Sequence, residues 1–257
     1  MLVTRPAGQS EALCRYLAAA GLRGVCIPLL ATRPLEDTSA LDAALNTVSA
    51  YDWVVFASAN AVRFFVQRAL ALGIDLAATM RAQLCAGPAT AAMMADCGLR
   101  THLILDPFSA HSAASALAPR VQAGDRILLP GAVAGRDTLA TALRQHSAMI
   151  DEVALYRTEP DAERAAEALR RLGTGEFRAV ALFSPSAVQA LHCAVAGHSA
   201  AAQRTIMDGV TLACIGATTA AAVAQAGWHA DVIAPSTTSG ALATALAEYL
   251  AIHEVRR

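Results

Sequence analysis

Short runs of consecutive apolar residues alternate along the chain with longer stretches in which apolar residues recur every three or four positions. The short runs are typical of strands buried on both faces of a parallel sheet, and they lie at 25–27, 53–56, 127–129, 180–183 and 212–215. The longer stretches have the period of amphipathic helices, and they lie at 9–20, 60–72, 90–97, 136–145, 186–195 and 219–226. This alternation predicts an α/β fold with doubly wound parallel sheets.

Part of the first half of this pattern returns in the second half. VVFASANAV at 54–62 returns as VALFSPSAV at 180–188, and CAGPATAA at 85–92 returns as CIGATTAA at 214–221. A repeat with so long a period is a whole lobe, since solenoid repeats have periods of roughly 20–50 residues. We therefore expect two similar lobes, with a ligand in the cleft between them.

The repeat starts at Val54 rather than at the first residue, and this late start indicates which segments of the chain form each lobe. Residues 1–30 hold only a strand, a helix and a strand, which are too few for a lobe. The C-terminal part is short of a lobe by about the number of strands that residues 1–30 could supply. We expect lobe one to combine the two ends of the chain, lobe two to be the middle, and two extended linkers to join them as a two-stranded ladder. The ranges are 1–30 with 161–257 for lobe one, 36–153 for lobe two, and 31–35 and 154–160 for the linkers.

Composition narrows the function classes. The chain of 257 residues has no lysine and a net charge of −1, which excludes a Schiff-base lysine and a phosphate-loop lysine and gives no basic footprint for nucleic acid. The six cysteines and seven histidines have no metal-ligand spacing, so we expect no metal site and buried free thiols. No apolar run is long enough to span a membrane and the opening residues do not form a signal peptide, so we expect a cytoplasmic protein.

Polar residues follow the repeated strands at the points where helices are predicted to begin. In parallel sheets these points lie at the carboxyl ends of the strands, where ligands bind, and helix starts offer free N–H groups to anions. Capping of the helices alone would also account for each turn taken singly. The recurrence in both lobes favours binding, and the candidate residues are Ser58, Asn60, Thr90, Ser184, Ser186, Thr218 and Thr219.

The order and spacing of several short motifs resemble those of the uroporphyrinogen-III synthase family. The motifs are VTRP at 3–6, WVVFASANAV at 53–62, GPATA at 87–91, VALYRT at 153–158, FSPSAV at 183–188 and IGATTA at 215–220. The resemblance implies two flavodoxin-like lobes joined by a two-stranded linker. It also implies a lyase of porphyrin biosynthesis that cyclises the linear tetrapyrrole hydroxymethylbilane to uroporphyrinogen III, with inversion of ring D, loss of water and no cofactor.

The same resemblance assigns roles to residues. Tyr156 matches a tyrosine proposed to help the terminal hydroxyl of the substrate to leave, and a phenol is a suitable proton donor. A packing role for this tyrosine stays open. The Ser, Thr and Asn residues given above match positions that line the substrate cleft. Arg5 and Arg136 are candidate partners of the substrate carboxylates, although surface arginines often serve only solubility.

The remaining expectations concern partners and the alternative function. The substrate is a polyanion while the chain is slightly acidic, so helix N-termini must supply much of the positive potential. We expect a monomer, because the internal repeat supplies what a dimer would otherwise supply, and a substrate handed on by hydroxymethylbilane synthase. The alternative is a non-catalytic, two-lobed binding protein for a small anionic metabolite, which needs a hinge but no tyrosine at its ligand.

Overall fold

The computed structural model describes residues 1–80, 83–133, 137–144 and 148–254, and within them the chain alternates strands and helices. The strands are β1 Leu2–Val3, β2 Val25–Cys26, β3 Leu30–Pro34, β4 Trp53–Phe56, β5 Gln83–Ala86, β6 Leu103–Leu105, β7 Arg126–Ala132, β8 Met149–Pro160, β9 Ala179–Leu182, β10 Thr211–Cys214 and β11 Val232–Ile233. The α-helices are α1 Glu11–Ala19, α2 Ser39–Asn46, α3 Ala59–Ala71, α4 Leu76–Thr79, α5 Gly87–Asp96, α6 Ala110–Leu117, α7 Asp137–Arg144, α8 Ala162–Gly173, α9 Pro185–Ala196, α10 Ala200–Met207, α11 Ala217–Gln225 and α12 Ser239–Glu254.

These elements form two compact units, and the first is discontinuous in sequence. Unit 1 comprises Met1–Ala31 and Glu159–Arg257, and unit 2 comprises Thr32–Thr158. The predicted α/β class is confirmed, with helices around parallel sheets. None of the described helices is long and apolar enough to cross a membrane.

The sheet of unit 1 has five parallel strands in the order β11-β10-β9-β1-β2. Alternate residues of the central strands β1, β9 and β10 enter two different apolar clusters, because side chains of a strand point to opposite faces. Leu2 and Val180 face a cluster formed with α8, α9 and α11. Val3 and Ala181 face a second cluster formed with α1 and α12. Both faces are therefore covered by helices, as doubly wound sheets require.

The sheet of unit 2 has six strands in the order β3-β8-β7-β4-β5-β6. The strands from β8 to β6 in this order are parallel. Val54 and Phe56 pack with α2, α3 and α5 on one face, and Val55 packs with α6 and α7 on the other. The central strands β4 and β7 are therefore buried on both faces, and they are apolar at consecutive positions.

The two segments that we expected to be linkers lie in β3 and β8, which are neighbours in the second sheet. Leu35 N–H donates to the Leu155 carbonyl, and Asp161 N–H donates to the Leu29 carbonyl. Residue numbers thus rise along β3 as they fall along β8, so the two segments run antiparallel. Pro34 and Pro160 are the last residues of these two strands, in agreement with the extended backbone that the residue before a proline favours.

Five strands of the unit 2 sheet correspond in spatial order to the five strands of the unit 1 sheet, although they occur in a different order along the chain. The order β11-β10-β9-β1-β2 of unit 1 corresponds to β6-β5-β4-β7-β8 of unit 2. Unit 1 therefore has the arrangement of unit 2 with a different starting point in the chain. This permutation explains why the sequence repeat begins at Val54, on β4, whose counterpart is β9 rather than β1.

Candidate active site

Helices start directly after the four repeated strands, as predicted. Ser58 precedes α3 and Ser184 precedes α9, with nearly identical backbone angles of φ −159°, ψ 153° and φ −157°, ψ 155°. Each hydroxyl accepts a hydrogen bond at 3.2 Å from the N–H three residues later, of Ala61 and Ala187. The sequence repeat thus corresponds to a repeated N-cap, which leaves the other first-turn N–H groups without partners inside the helix.

A change of register in unit 2 turns Tyr156 toward α3. Gly131 of β7 pairs with Ala154, whereas the next residue, Ala132, pairs with Tyr156, so Leu155 is an extra residue on β8. Successive strand residues normally face opposite sides of a sheet. Here Leu155 and Tyr156 both belong to the cluster around α3, which is the effect of a β-bulge.

Ser58 and Tyr156 are hydrogen-bonded partners although they lie 98 residues apart in the chain. Ser58 Oγ is 3.0 Å from the Tyr156 hydroxyl, and either oxygen can be the donor. The Tyr156 side chain stacks on Phe64 of α3, with ring centroids 5.2 Å apart and an angle of 27° between the planes. Tyr156 is 7% exposed, so its ring is fixed while its hydroxyl lies at the start of α3. Burial, stacking and the hydrogen bond together orient the phenol.

The other predicted residues of unit 2 flank two helix starts. Asn60 is the second residue of α3 and is half-buried. Thr90 lies in the first turn of α5 and is a buried polar residue, 3% exposed. Gly87 begins α5 with φ +70°, a left-handed conformation that favours glycine and lets the chain turn sharply out of β5.

In unit 1, neighbouring strands bring Arg5 to the start of α9. Arg5 follows β1, Phe183 follows β9, and these two strands pair directly. The Arg5 Cζ atom lies 4.3 Å from the centroid of the Phe183 ring, next in sequence to the capping Ser184. Burial lowers the pKa of Arg5 below its ordinary value, and within the described ranges Arg5 forms no ion pair. A guanidinium held in this way favours a bound anion.

The remaining predicted residues of unit 1 lie at the starts of α9 and α11. Ser186 is exposed in the first turn of α9. Thr218 is exposed and Thr219 is buried in the first turn of α11, which begins after Gly216. A Cβ atom on Gly216 would lie 3.2 Å from Thr237 Cγ2, so a glycine fits this turn closely. Arg136 lies outside the described residues.

Sequence reasoning missed the aromatic platforms Phe64 and Phe183. A signal was present for Phe183, because it immediately precedes Ser184 in the repeated motif. Phe64 gave no distinct signal, since its spacing on α3 is that of an ordinary core residue. The expectation of buried thiols is correct for Cys214 but not for Cys193, which is exposed. The described residues contain no cluster of three or more His, Cys, Asp or Glu side chains able to hold a metal ion.

Comparison with known proteins places the chain in a family. The family model described as uroporphyrinogen-III synthase HemD matches residues 11–244. A uroporphyrinogen-III synthase of Synechococcus elongatus is 29% identical over 217 residues, which cover 84% of this chain and 82% of that protein. The alternative of a non-catalytic binding protein has less support than an enzyme of this family.

Solved structures show the same fold. A mutant uroporphyrinogen III synthase of Thermus thermophilus superposes with a TM-score of 0.58 at 20% identity, covering 98% of both chains. A uroporphyrinogen-III synthetase of Helicobacter pylori superposes with a TM-score of 0.55 at 15% identity, covering 92% of this chain and 93% of that one. Since the family model spans most of the sequence, the chain belongs to the uroporphyrinogen-III synthase family.

Proposed function

We propose that this chain cyclises hydroxymethylbilane to uroporphyrinogen III, with loss of water and inversion of ring D. The observation that carries the proposal is the hydrogen bond between Ser58 and Tyr156, which holds a buried phenol at the start of a helix. Tyr156 donates a proton to the terminal hydroxyl of the substrate as its carbon–oxygen bond breaks, so that water and a protonated azafulvene form, and loss of the pyrrole N–H proton to the phenolate gives the neutral azafulvene.

The Ser58 hydroxyl supports this proton transfer. Its oxygen already accepts a hydrogen bond from Ala61 N–H, so its own proton is free to be donated to the Tyr156 oxygen. A hydrogen bond donated to that oxygen stabilises the phenolate that forms as the proton leaves. Ser58 thus acts on Tyr156, while the other helix-start residues act on the substrate.

The substrate carboxylates bind at helix starts and at arginine. In unit 2 the groups are Asn60 and Thr90, and in unit 1 they are Ser184, Ser186, Thr218, Thr219 and Arg5. Each helix start contributes about half a positive charge and free N–H donors, which suits a polycarboxylate bound by a slightly acidic chain. Arg136, which follows β7, is a further candidate from the sequence. Binding of many carboxylates positions the ends of the linear substrate for the inverted closure.

We further propose that the enzyme acts as a cytoplasmic monomer. The described cysteines are free thiols, which is the usual state in a reducing compartment. Hydroxymethylbilane also closes without an enzyme to the non-inverted ring. Direct transfer from hydroxymethylbilane synthase would limit this loss.

The rate at which purified protein consumes hydroxymethylbilane tests the proposal. We expect consumption to saturate with substrate and to exceed the protein-free rate at every substrate concentration. A rate equal to that of the protein-free solution, with folded protein present, would contradict it. Heat-denatured protein serves as the control for non-specific effects of the chain.

A further inference from the structure

Two thiols of unit 1 lie side by side and have no part in the proposed reaction. Cys14 of α1 and Cys26 of β2 have their Sγ atoms 3.8 Å apart, within hydrogen-bonding distance for sulfur. Both residues are half-buried. Among the five cysteines whose side chains are described, Cys14, Cys26, Cys97, Cys193 and Cys214, this is the one contact between two sulfurs.

The fold holds this contact on regular secondary structure. Cys14 N–H donates to the Ser10 carbonyl at 2.8 Å, which places Cys14 in the first turn of α1. Cys26 is the last residue of β2 and pairs with Val3 of β1. Gly24 leaves the space that the thiol needs, since a Cβ atom there would lie 3.2 Å from Cys14 Sγ. The two sulfurs therefore meet because a helix and a strand are packed together.

The geometry is close to that of a disulfide. The bond length of a disulfide is about 2.05 Å, so the two sulfurs must approach by less than about 2 Å. Rotation of the two side chains about their Cα–Cβ bonds moves the sulfurs on this scale. The described alternatives are poorer, because neither Cys193 nor Cys214 contacts the sulfur of another described cysteine, and burial raises the pKa of Cys214 to about 11.

We propose that Cys14 and Cys26 form a reversible intramolecular disulfide when the protein meets a low-molecular-weight disulfide. The Cys26 thiolate attacks one sulfur of the small disulfide, forms a mixed disulfide and releases one small thiolate. The Cys14 thiolate then attacks Cys26 Sγ and releases the second. The protons of the two cysteines pass to the two released thiolates, so one protein disulfide replaces one small disulfide.

The environment of Cys14 sets the pH dependence of the second step. Burial, and after it the contact with Cys26, raises the pKa of Cys14 above its ordinary value. Little Cys14 thiolate is present at neutral pH, so closure accelerates as pH rises toward that pKa. The bond ties the first turn of α1 to the end of β2, at the edge of the sheet from which Arg5 extends.

Peptide mapping tests the pair without depending on activity. The chain has no lysine and its Arg5–Pro6 and Arg33–Pro34 bonds resist trypsin, so Cys14 falls on peptide 1–15 and Cys26 on peptide 24–63. Native protein is equilibrated with oxidised glutathione, acid-quenched, alkylated and digested. We expect the two peptides joined, lighter by two hydrogen atoms than their sum, and separated again by dithiothreitol.

Matched samples decide the outcome. Cys193→Ser should keep the linked peptides, whereas Cys14→Ser and Cys26→Ser should lose them. The same treatment in guanidinium should give mixed links among several cysteines, because the native contact is then absent. Recovery of Cys14 and Cys26 from native protein as separate alkylated or glutathionylated peptides would overturn the proposal, whatever the variants do.

Discussion

Two buried tyrosines of unit 2 differ in their partners and so provide a matched test of Tyr156. The Tyr156 hydroxyl meets Ser58, whereas the Tyr51 hydroxyl donates to Asp151 at 2.7 Å. We expect Tyr156→Phe to lower kcat by a factor of 10² or more, because the proton donor is lost while the ring still stacks on Phe64. Tyr51→Phe should lower the melting temperature and leave kcat within about twofold. Steady-state kinetics and thermal melts separate the two, and an unchanged kcat for Tyr156→Phe would remove the role of this residue.

Arg5 is expected to act on binding rather than on chemistry. It lies over Phe183 with no acidic partner among the described residues, so its guanidinium is available to pair with a substrate carboxylate. Arg5→Gln should raise KM about tenfold with kcat nearly unchanged, and added salt should weaken binding less in the variant than in the wild type. Arg15→Gln, on the exposed face of α1, is the control. Equal KM values for both variants would show that Arg5 does not bind substrate.

Asp151 gives the fold a dependence on pH. Burial by itself would raise the pKa of Asp151, but hydrogen bonds from Tyr51 and Arg126 outweigh it and lower the pKa below its ordinary value. A depressed carboxyl pKa stabilises the fold above the ordinary value of about 4 and loses that effect as pH falls through the folded-state pKa.

Asp151→Asn should therefore lower the melting temperature at pH 7 by roughly 2–4 °C, since this partly exposed pair contributes about 1 kcal/mol or less. The difference from wild type should narrow as pH falls below about 4. Asp96→Asn, at an exposed position at the end of α5, should change little at either pH. A difference in melting temperature between wild type and Asp151→Asn that stays constant from pH 7 to pH 3 would contradict the lowered pKa of Asp151.

At the scale of elements, the caps of α9 and α10 separate stability from substrate binding. Ser184 accepts from Ala187 N–H at 3.2 Å and Ser199 accepts from Ala202 N–H at 3.3 Å. Replacement of either serine by alanine should lower the free energy of unfolding by about 1 kcal/mol and the melting temperature by a few degrees. Only Ser184→Ala should also raise KM, because only α9 begins at the proposed site. Parallel shifts in KM for both variants would assign Ser184 to capping alone.

The same elements show what the sequence could predict. The strand at 53–56 and the helix starts near Ser58 and Ser184 follow from apolar runs that end at capping residues. The strand β8 could not be delimited, because it runs from a parallel pairing with β7 into an antiparallel pairing with β3. The meeting of Ser58 with Tyr156 depends on the extra residue Leu155, which no periodicity signals.

At the scale of the whole molecule, the repeat and the strand order describe one permuted duplication. Unit 1 closes its sheet with β1 and β2, from the opposite end of the chain to β9, β10 and β11. Two strands of two residues each are too short to give a reliable pattern, so the assignment of residues 1–30 depended on counting elements. The two units repeat the capped helix starts, whereas Tyr156 lies beyond the part of β8 that corresponds to the two residues of β2.

The product isomer tests the central claim most directly. Purified protein is mixed with fresh hydroxymethylbilane, the products are oxidised to porphyrins, and the type I and type III isomers are separated by chromatography. We predict that the type III isomer predominates with wild-type protein and with Tyr51→Phe. With Tyr156→Phe the fraction of the type I isomer should increase, because uncatalysed closure then competes with the slower enzyme. Type I alone, formed by wild-type protein at the rate of the protein-free solution, would contradict the account.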